Sequence, residues 1–460
     1  MAKHYHLIGI GGIGMAALAS ILLDKGYKVT GSDLKESELT VHLKKKGATI
    51  FSGHHVENIK GADCIVYSSA IRVTNPEMIE SVSKHIPLLK RAELLAELVN
   101  QEIGITVAGA HGKTTTTSMI SHLLLQAGLK PTTAVGGIIN SHTAYNANLG
   151  TGTYFVAEAD ESDGTFLYFK PTYSVVTNID FEHVDFYKNW DNIIAAYRKF
   201  IQRTKSEGCL IVCAEDFRLR QLVRDEQIPA ILYGLSPACE LYAAEIDLSG
   251  YATKFNCYHE GKLLGEIRLA LPGQHNVLNA LAAIGLGLKL KIPFETIREA
   301  LKTFTGVKRR FQLKSHFQDI MVVDDYGHHP TEIIATLNAA KSFGKKRLVV
   351  AFQPHRYSRT KSLLEEFANS FESCDYLIVT DVYAAGEKPS DGADIHQLFP
   401  KIQQRLGSHA VYIPREKMLS HLLEIVRPGD LVVTLGAGDI TQLSDQFVAK
   451  WQGIHPVGQK

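Results

Sequence analysis

Short runs of β-branched and apolar residues alternate with helical patterns along most of this 460-residue chain. Such alternation is typical of parallel sheets covered by helices, because a crossover between parallel strands needs a long connection. The sequence therefore predicts an α/β fold. The expected strands are His6–Ile10, Lys28–Thr30, Cys64–Tyr67, Ile103–Ala108, Thr132–Val135, Tyr154–Glu158, Tyr173–Thr177, Leu210–Cys213, Ile320–Val323, Arg347–Phe352, Tyr376–Thr380 and Asp430–Leu435.

Two breaks in this alternation divide the chain, one near Val99 and one between Thr305 and Arg310. The length suits two to four domains. We therefore expect three consecutive α/β domains, each with a mainly parallel sheet, over residues 1–99, 100–307 and 308–460. Helices are expected over residues 77–100, interrupted at Pro87, and from Pro272-Gly273 through Leu290.

The charge composition excludes two classes of partner. Lys and Arg number 49 and Asp and Glu number 48, which leaves no electrostatic footprint for nucleic acid or an anionic membrane surface. No stretch is apolar enough to span a membrane, and the uncharged run from Tyr5 to Leu23 fits a strand, turn and helix better than a secretion signal. Six cysteines without a Cys-x-x-Cys pair are typical of reduced thiols in a cytosolic protein.

The heptapeptide GAHGKTT, which follows the run Ile103–Ala108, carries the strongest chemical signal. Backbone N–H groups in such a turn converge on phosphate oxygens, and the following helix adds its positive N-terminus. Lys113 is expected to reach the β- and γ-phosphates of ATP, and the Thr114 hydroxyl to bind Mg²⁺. A strict P-loop has glycine where this chain has Val107, so the turn is a compact variant of the P-loop motif. The central domain is therefore expected to be a P-loop ATPase domain. The predicted phosphate-binding residues are Gly109, Ala110, His111, Gly112, Lys113, Thr114 and Thr115.

Acidic and histidine side chains follow the next two strands. The run Tyr154–Glu158 ends in AEADESD, and a carboxylate at the end of a strand beside a P-loop is where Mg²⁺ would be held. Glu158 is preferred to Asp160 because it ends the strand. The strand after it leads into NIDFEHVD, which predicts His183 at the same sheet edge as a ligand of a second Mg²⁺. Two ions would suit a reaction that stabilises negative charge on both the attacked and the departing phosphoryl oxygens.

A second glycine-rich turn, GIGGIG, follows the first predicted strand. It contains Gly9, Gly11, Gly12 and Gly14, and Asp33 closes the next strand 24 residues after Gly9. This context is that of a Rossmann-like nucleotide-binding domain. Alone, the motif indicates NAD or any other diphosphate beside a ribose. Because an ATP-type turn lies in the next domain, where hydride transfer has no obvious use, a nucleotide-activated substrate is the preferred interpretation.

The C-terminal domain, also expected to be Rossmann-like, has two polar clusters just after predicted strands. They are DDYGHHPTEI at residues 324–333 and QPHRYSRT at residues 353–360. In an open parallel sheet both would face the crevice where ligands collect. Arg356 and Arg359 lie three residues apart, which lets them grip one carboxylate. The adjacent His328 and His329 lack metal-ligand spacing on one face.

Taken in this order, the motifs resemble those of the Mur ligases of peptidoglycan synthesis. The matching stretches run nearly end to end: GIGGIGM, SSAI, AGAHGKTTTTSM, EADESDGTF, TNIDFEHVD, PGQHNVLNALAA, GVKRRFQ, DDYGHHPTEI and FQPHRYSRT. The resemblance implies that ATP activates a carboxylate of UDP-N-acetylmuramate as an acyl phosphate, and that an amine then displaces the phosphate. Both phosphate-binding turns would thereby have a use, one for each nucleotide.

The resemblance also implies roles for individual residues. At the sugar nucleotide it implies the four glycines of the first turn, Asp33, Ser68, Ser69, Asn146 and Ser162. At ATP it adds His275, Asn276, Asn279 and Arg310 to the GAHGKTT residues. At the incoming amino acid it implies Tyr326, His328, His355, Arg356 and Arg359, with His328 the candidate base for the amine. The catalytic set would be Lys113, Glu158, His183 and His328, with Mg²⁺ on Thr114, Glu158 and His183.

One departure from part of the family bears on the amino acid. Several relatives that ligate later amino acids have a carbamylated lysine about 15 residues after the His ligand, where this chain has Arg198. Together with the stretches HRYSRT and YAAGEKP, this favours the branch that adds L-alanine. The alternatives are a tripeptide-recycling ligase, a folylpolyglutamate-synthetase-like enzyme, which would lack the N-terminal Rossmann turn, and a nucleotide sensor that ligates nothing.

Overall fold

The computed structural model describes residues 2–68, 70–136, 147–344, 347–389 and 392–454. Within these residues the chain forms three sheets joined by helices, so the expected α/β architecture is confirmed. By compactness the chain divides into two units. The first comprises Met1–Glu245, Asn256–Ile267 and Leu278–Thr305, and the second comprises Ile246–Phe255, Arg268–Val277 and Gly306–Lys460. The domain boundaries at residues 99 and 307 remain predictions.

The N-terminal part of the first unit is a parallel sheet with connecting helices. Its elements are β1 His4–Ile8, α1 Ile13–Asp24, β2 Lys28–Asp33, α2 Glu38–Lys45, β3 Thr49–Ser52, β4 Cys64–Tyr67, α3 Pro76–Ser83, β5 Leu88–Lys90 and α4 Arg91–Asn100. The strand order is β3-β2-β1-β4-β5. β1 ends before Gly9, earlier than predicted, because Gly9 has φ +77° and the N–H groups of Gly9 and Ile10 both donate to the Ser32 carbonyl. The helix expected over residues 77–100 is two helices separated by β5.

The central sheet places the GAHGKTT turn between the ends of two neighbouring strands, β9 and β10. The elements are β6 Ile103–Ala108, α5 Lys113–Gln126, β7 Thr132–Ala134, β8 Ala147–Asn148, β9 Tyr154–Glu158, β10 Tyr173–Val176, α6 Val184–Tyr187, α7 Trp190–Ile201, β11 Cys209–Cys213, α8 Phe217–Glu226, β12 Ala230–Gly234, β13 Leu241–Asp247, β14 Thr253–His259, β15 Lys262–Leu269, α9 Gln274–Lys289 and α10 Phe294–Thr303. The strand order is β15-β14-β13-β12-β11-β10-β6-β9-β7-β8. Because β6 lies between β9 and β10 and is parallel to both, the turn after β6 leaves the sheet beside Glu158 and Thr177.

The N-terminal and central sheets share one hydrophobic core within the first unit. Residues Met15 to Leu22 of α1 are all buried, as a helix is when apolar side chains cover every face. All of them except Ser20 belong to the same apolar cluster as Leu95 of α4, Ala147 of β8 and Phe155 of β9. The two glycine-rich turns therefore belong to one compact unit.

The second unit is built on a mainly parallel sheet. Its elements are β16 Gln312–Phe317, β17 Ile320–Asp325, α11 Pro330–Lys341, β18 Arg347–Phe352, α12 Tyr357–Ser362, α13 Leu364–Ala368, β19 Tyr376–Val379, α14 Ile395–Leu406, β20 Ala410–Tyr412, α15 Met418–Ile425, β21 Asp430–Leu435 and α16 Thr441–Ile454. The strand order is β16-β17-β21-β18-β19-β20, with β16 antiparallel to β17. The polar clusters after β17 and β18 leave the same edge of the sheet.

An aromatic group joins two distant parts of the sequence within the second unit. The Tyr251 ring lies 6.5 Å from that of Phe311 and 5.9 Å from that of Phe343, measured between centroids, and the two phenylalanines stack at 5.8 Å. The segment Ile246–Phe255 thus packs with residues after position 306.

Among the described residues no helix combines the length and the apolar character needed to cross a membrane.

Candidate active site

The GAHGKTT turn requires glycine at two positions. Gly109 has φ +134°, and a Cβ atom there would lie 2.1 Å from the Thr177 hydroxyl oxygen. Gly112 has φ +81° as the residue before α5, and a Cβ atom there would lie 2.6 Å from Asn279 Oδ1. Both values belong to the left-handed region that side chains disfavour. The absence of side chains at these two positions lets the backbone N–H groups of the turn come close to a ligand, as phosphate binding requires.

The Lys113 ammonium group folds back over this turn. It donates to the carbonyl of Gly109 at 2.6 Å, to that of Ala110 at 3.2 Å and to Glu161 Oε1 at 2.9 Å. Burial by itself lowers the pKa of Lys113, but Glu161 and Asp160 more than offset it, so the pKa stands well above its usual range. Burial likewise raises the pKa of Glu161, whereas Lys113 and His183 lower it to about 2. Both groups are charged at neutral pH.

Three side chains beside Lys113 form a donor set for a divalent cation. One potential ligand atom from each of Asp160, Glu161 and His183 lies within 4.8 Å of the others. His183 Nε2 is 3.6 Å from Glu161 Oε1. Glu161 is 3% exposed, and its Oε2 atom is buried with no hydrogen-bond partner in the described structure. Carboxylates and one imidazole around an orphaned oxygen fit Mg²⁺ at this place.

The residues predicted to bind Mg²⁺ lie at separate places near the turn, since His183 lies beside Glu161 whereas Glu158 and Thr114 lie in β9 and α5. Glu158 ends β9 as expected, and its Oε1 atom accepts a hydrogen bond from the Gly136 N–H at 2.7 Å. Thr114 lies in the first turn of α5. The acid that meets Lys113 and His183 is Glu161, which the sequence argument missed. In the sequence, Glu161 was visible only as the second glutamate of AEADESD.

The segment after β10 clamps the turn from the other side. The Asn178 amide oxygen accepts from the His111 N–H at 2.8 Å, and its amide nitrogen donates to the His111 carbonyl at 3.0 Å. The His111 ring nitrogen Nε2 lies 2.8 Å from Asp180 Oδ2. Asn178 and Asp180 thus contact the phosphate turn just beyond the end of β10.

The residues predicted to contact ATP from outside the turn fall into both units. Asn279 on α9 accepts from the Thr116 hydroxyl at 3.1 Å and lies beside Gly112. His275, Asn276 and Arg310 belong to the second unit. There, burial lowers the pKa of His275 to about 4, with Arg310 adding to the effect.

The N-terminal glycine turn is held by Asp33. Its Oδ2 atom accepts from the Gly11 N–H at 2.9 Å, and a Cβ atom at Gly11 would collide with it at the same distance. The Gly12 N–H donates to the Gly9 carbonyl at 3.1 Å, which closes the turn. The Ser68 hydroxyl oxygen lies 3.7 Å from the position of a Cβ at Gly9. Ser69 and Asn146, also predicted here, lie outside the described residues.

Ser162 lies in the central sheet's acidic loop, next to Glu161. Its N–H donates to Asp160 Oδ1 at 3.1 Å. Ser162 therefore lies beside the donor set of Asp160, Glu161 and His183 and not on the N-terminal sheet. Contact with the muramate end of a sugar nucleotide remains a prediction for Ser162.

The aromatic side chains predicted to bind an amino acid lie together in the second unit. The His328 ring is 5.2 Å from that of Tyr326 and 5.8 Å from that of His355. Arg359 Nη1 lies 3.3 Å from His355 Nδ1. Burial lowers the pKa of His328 to about 3, and burial with Arg359 lowers that of His355 to about 4. Both rings are therefore neutral at pH 7.

Arg356 is held by a carboxylate that the sequence argument did not name. Arg356 has φ +71°, and its Nε atom donates to Glu387 Oε1 at 2.5 Å. Glu387 also accepts from the Ser358 N–H at 3.0 Å and from the Ser358 hydroxyl at 2.7 Å. The stretch YAAGEKP, singled out for its resemblance, was the available signal, since Glu387 is its acid. Arg356, Arg359 and His355 thus surround the start of α12.

Comparison with known families and curated proteins gives matches along the whole chain. The model "Mur ligase family, catalytic domain" matches residues 4–103, "Mur ligase middle domain" matches 107–287, and "Mur ligase, glutamate ligase domain" matches 309–438. The UDP-N-acetylmuramate–L-alanine ligase of Geotalea uraniireducens is 49% identical over 449 residues, 97% of this chain and 98% of that protein. The protein of the same name from Geobacter sulfurreducens is 47% identical over 448 residues, 97% of each.

Solved structures show the same fold. A UDP-N-acetylmuramate–alanine ligase from Thermotoga maritima superposes with a TM-score of 0.83 at 32% identity, covering 99% of this chain and all of that one. A murein peptide ligase from Psychrobacter arcticus has a TM-score of 0.72 at 24% identity over the same shares, a likeness of fold alone.

Proposed function

The chain belongs to the Mur ligase family, and we propose that it joins L-alanine to the lactyl carboxylate of UDP-N-acetylmuramate in peptidoglycan synthesis, with conversion of ATP to ADP and phosphate. The observation that carries the proposal is the pairing of two phosphate-type turns in one compact unit, with a buried lysine at the second. One turn suits the diphosphate of the sugar nucleotide and the other suits ATP. The relatives that match end to end carry the name of this reaction.

The reaction proceeds in two steps. The lactyl carboxylate attacks the γ-phosphorus of ATP, which forms an acyl phosphate and releases ADP. The amine of L-alanine then attacks the acyl carbon, and phosphate leaves with the acyl-phosphate oxygen. Lys113 exchanges the carbonyls of Gly109 and Ala110 for phosphoryl oxygens and stabilises their charge during the first step. Tight positioning of the three reactants supplies much of the remaining acceleration.

The metal-binding residues complete the phosphate site. We assign Mg²⁺ to Thr114, Glu158 and His183, with two ions expected, and Glu161 contributes its orphaned oxygen to the same region. When bound, Mg²⁺ would neutralise charge on the phosphates and align them. Asn178 and Asp180 hold the turn in place from the neighbouring strand.

The second unit supplies the amino-acid site. Arg356 and Arg359 bind the carboxylate of L-alanine, beside the neutral rings of His328 and His355. A neutral imidazole can accept the proton of the amine, but a pKa of about 3 makes His328 a weak base. His328 stays the candidate base for the amine, with Tyr326 at its side. Cytoplasmic location remains a prediction.

A single assay tests this function. ADP release is measured with UDP-N-acetylmuramate, ATP and Mg²⁺, and with L-alanine, glycine, L-serine or the cell-wall tripeptide as acceptor. We expect turnover to be fastest with L-alanine and to vanish in Lys113→Ala. One methyl group discriminates by only about 1–3 kcal/mol, so glycine and L-serine should react slowly rather than not at all. Preference for the tripeptide would instead assign the chain to the recycling branch, and a steady rate of ADP release that is the same with and without any amino acid or tripeptide would exclude ligation.

A further inference from the structure

Arg91 directly follows β5 and lies at the same end of the N-terminal sheet as the glycine-rich turn. Ile8, Tyr67 and Lys90 are the last residues of β1, β4 and β5, and they lie opposite one another in register. The next residues along the chain, Gly9, Ser68 and Arg91, therefore emerge side by side at the carboxyl edge. In parallel α/β sheets this is the edge where ligands bind.

The Arg91 side chain lies against the start of α1. A Cβ atom at Gly14 would be 3.2 Å from each of Cδ, Nε and Nη1 of Arg91. A guanidinium group thus covers the first turn of the helix that follows GIGGIG. Any residue larger than glycine at position 14 would push it aside.

This cation has no counter-ion in the described parts of the chain, where the Arg91 side chain makes no hydrogen bond or ion pair. The nearest acid in sequence, Glu93, accepts from the Lys90 N–H at 2.7 Å, and Asp33 accepts from the Gly11 N–H. The first turn of α1 contains no acidic residue, and its N-cap residue makes no side-chain hydrogen bond. A helix N-terminus repels a cation. An anion bound between the guanidinium group and the start of α1 would be attracted by both.

We propose that Arg91 is a binding residue for the diphosphate of the sugar nucleotide, an inference that rests on the proposed function. Its planar fork of donors matches two phosphate oxygens at once. The diphosphate would lie between the guanidinium group and the N–H groups of the glycine turn. Arg91 would thereby supply a positive charge to the phosphates at a turn whose nearby carboxylate, Asp33, accepts from the Gly11 N–H.

Calorimetric titration with UDP and with UDP-N-acetylmuramate tests the proposal. Arg91→Ala should weaken binding of both about 10- to 100-fold, the range for lost hydrogen bonds to charged groups. Arg91→Lys should fall in between, because it keeps charge but loses the fork. ATP should bind with unchanged affinity. In turnover, KM for UDP-N-acetylmuramate should rise by the same factor while kcat changes less than about threefold. The matched control is Lys28→Ala, which removes an exposed cation from the amino end of β2, at the opposite edge of the same sheet.

A second variant separates a binding role from a folding role. Gly14→Ala should displace the guanidinium group and weaken UDP binding, and it should have no further effect in an Arg91→Ala background, since the two act through one contact. Equal UDP affinity of wild type and Arg91→Ala, with wild type binding well, overturns the assignment of Arg91 alone. If wild type binds neither UDP nor UDP-N-acetylmuramate, the proposed function itself is wrong.

Discussion

At the scale of single residues, the main feature is the choice of acceptors available to Lys113. In the structure its ammonium group is satisfied by two carbonyls of its own turn and by Glu161. A nucleotide must draw the lysine away from these partners, so part of the phosphate affinity is offset by the loss of a buried ion pair. Glu161 therefore keeps Lys113 charged and in place before the nucleotide arrives.

Glu161→Gln tests this ion pair through stability. In nucleotide-free and metal-free protein we expect the free energy of unfolding to fall by about 3 kcal/mol, because the variant leaves the largely buried Lys113 charge without the carboxylate that accepts its hydrogen bond. Urea denaturation followed by circular dichroism measures it.

The double variant Lys113→Met with Glu161→Gln is the matched control. Removing both charges should restore part of the loss, because no unpaired charge then stays buried. A double variant less stable than Glu161→Gln alone would contradict the ion-pair account.

At the scale of secondary-structure elements, the strands that sequence periodicity missed are informative. Four of the strands absent from the expected list, β3, β5, β16 and β20, lie at sheet edges, whereas β6, β9, β18 and β21, which were predicted with the correct bounds, are interior. Interior strands are buried on both faces and read as continuous apolar runs, but short edge strands are half exposed and carry mixed residues. Interior strands can therefore be predicted from their apolar sequence, whereas short edge strands depend on pairing with a neighbouring strand.

The same contrast applies to the site. Residues within one turn, such as Lys113 and Thr114, could be predicted as a phosphate site because their spacing alone indicates that chemistry. The contacts of Glu161, Glu387 and Arg91 could not be predicted, because they depend on which strands are neighbours. Gly14 and Arg91 are 77 positions apart, and only the register of β1, β4 and β5 brings them together.

The start of α12 yields a prediction at this scale. Arg356 has a left-handed backbone conformation and depends on Glu387 for its side-chain position. Arg356→Ala should raise KM for L-alanine about 10- to 100-fold, as expected for a lost charged hydrogen bond, with little change in KM for ATP. Steady-state kinetics at varied L-alanine concentration measures the shift.

Glu387→Gln and a distant control complete that experiment. Because Glu387 acts through Arg356, Glu387→Gln should raise KM for L-alanine less than Arg356→Ala does. Arg405→Ala, which removes an exposed cation from α14 of the same unit, should leave it unchanged. An unaltered KM in Arg356→Ala would move the amino-acid site elsewhere.

At the scale of the whole molecule, the second unit should lose stability as the pH falls. The second unit contains three histidines whose pKa values are lowered by burial, His275, His328 and His355. Between about pH 6.5, the ordinary histidine pKa, and pH 4, the unfolded chain binds more protons than the folded one. The stability they confer is thus complete above pH 6.5 and declines as the pH falls.

His328→Gln isolates one of these contributions. With a folded pKa of about 3, His328 alone should cost about 2 kcal/mol of stability between pH 7.5 and pH 5, and the glutamine variant should lose that much less. Urea midpoints at the two pH values measure the difference. His396→Gln, at an exposed position of α14, is the control and should keep the wild-type pH dependence. An identical pH dependence in His328→Gln would show that the ring is not buried as described.

The packing of Tyr251 against Phe311 and Phe343 has a practical consequence for dissecting this chain into fragments. A polypeptide started at residue 308 would lack Ile246–Phe255 and Arg268–Val277, which complete the second unit. Its exposed phenylalanine pair would make it prone to aggregate when expressed alone. Adding the missing 246–277 stretch in trans should rescue its solubility, much as split proteins regain their fold by complementation.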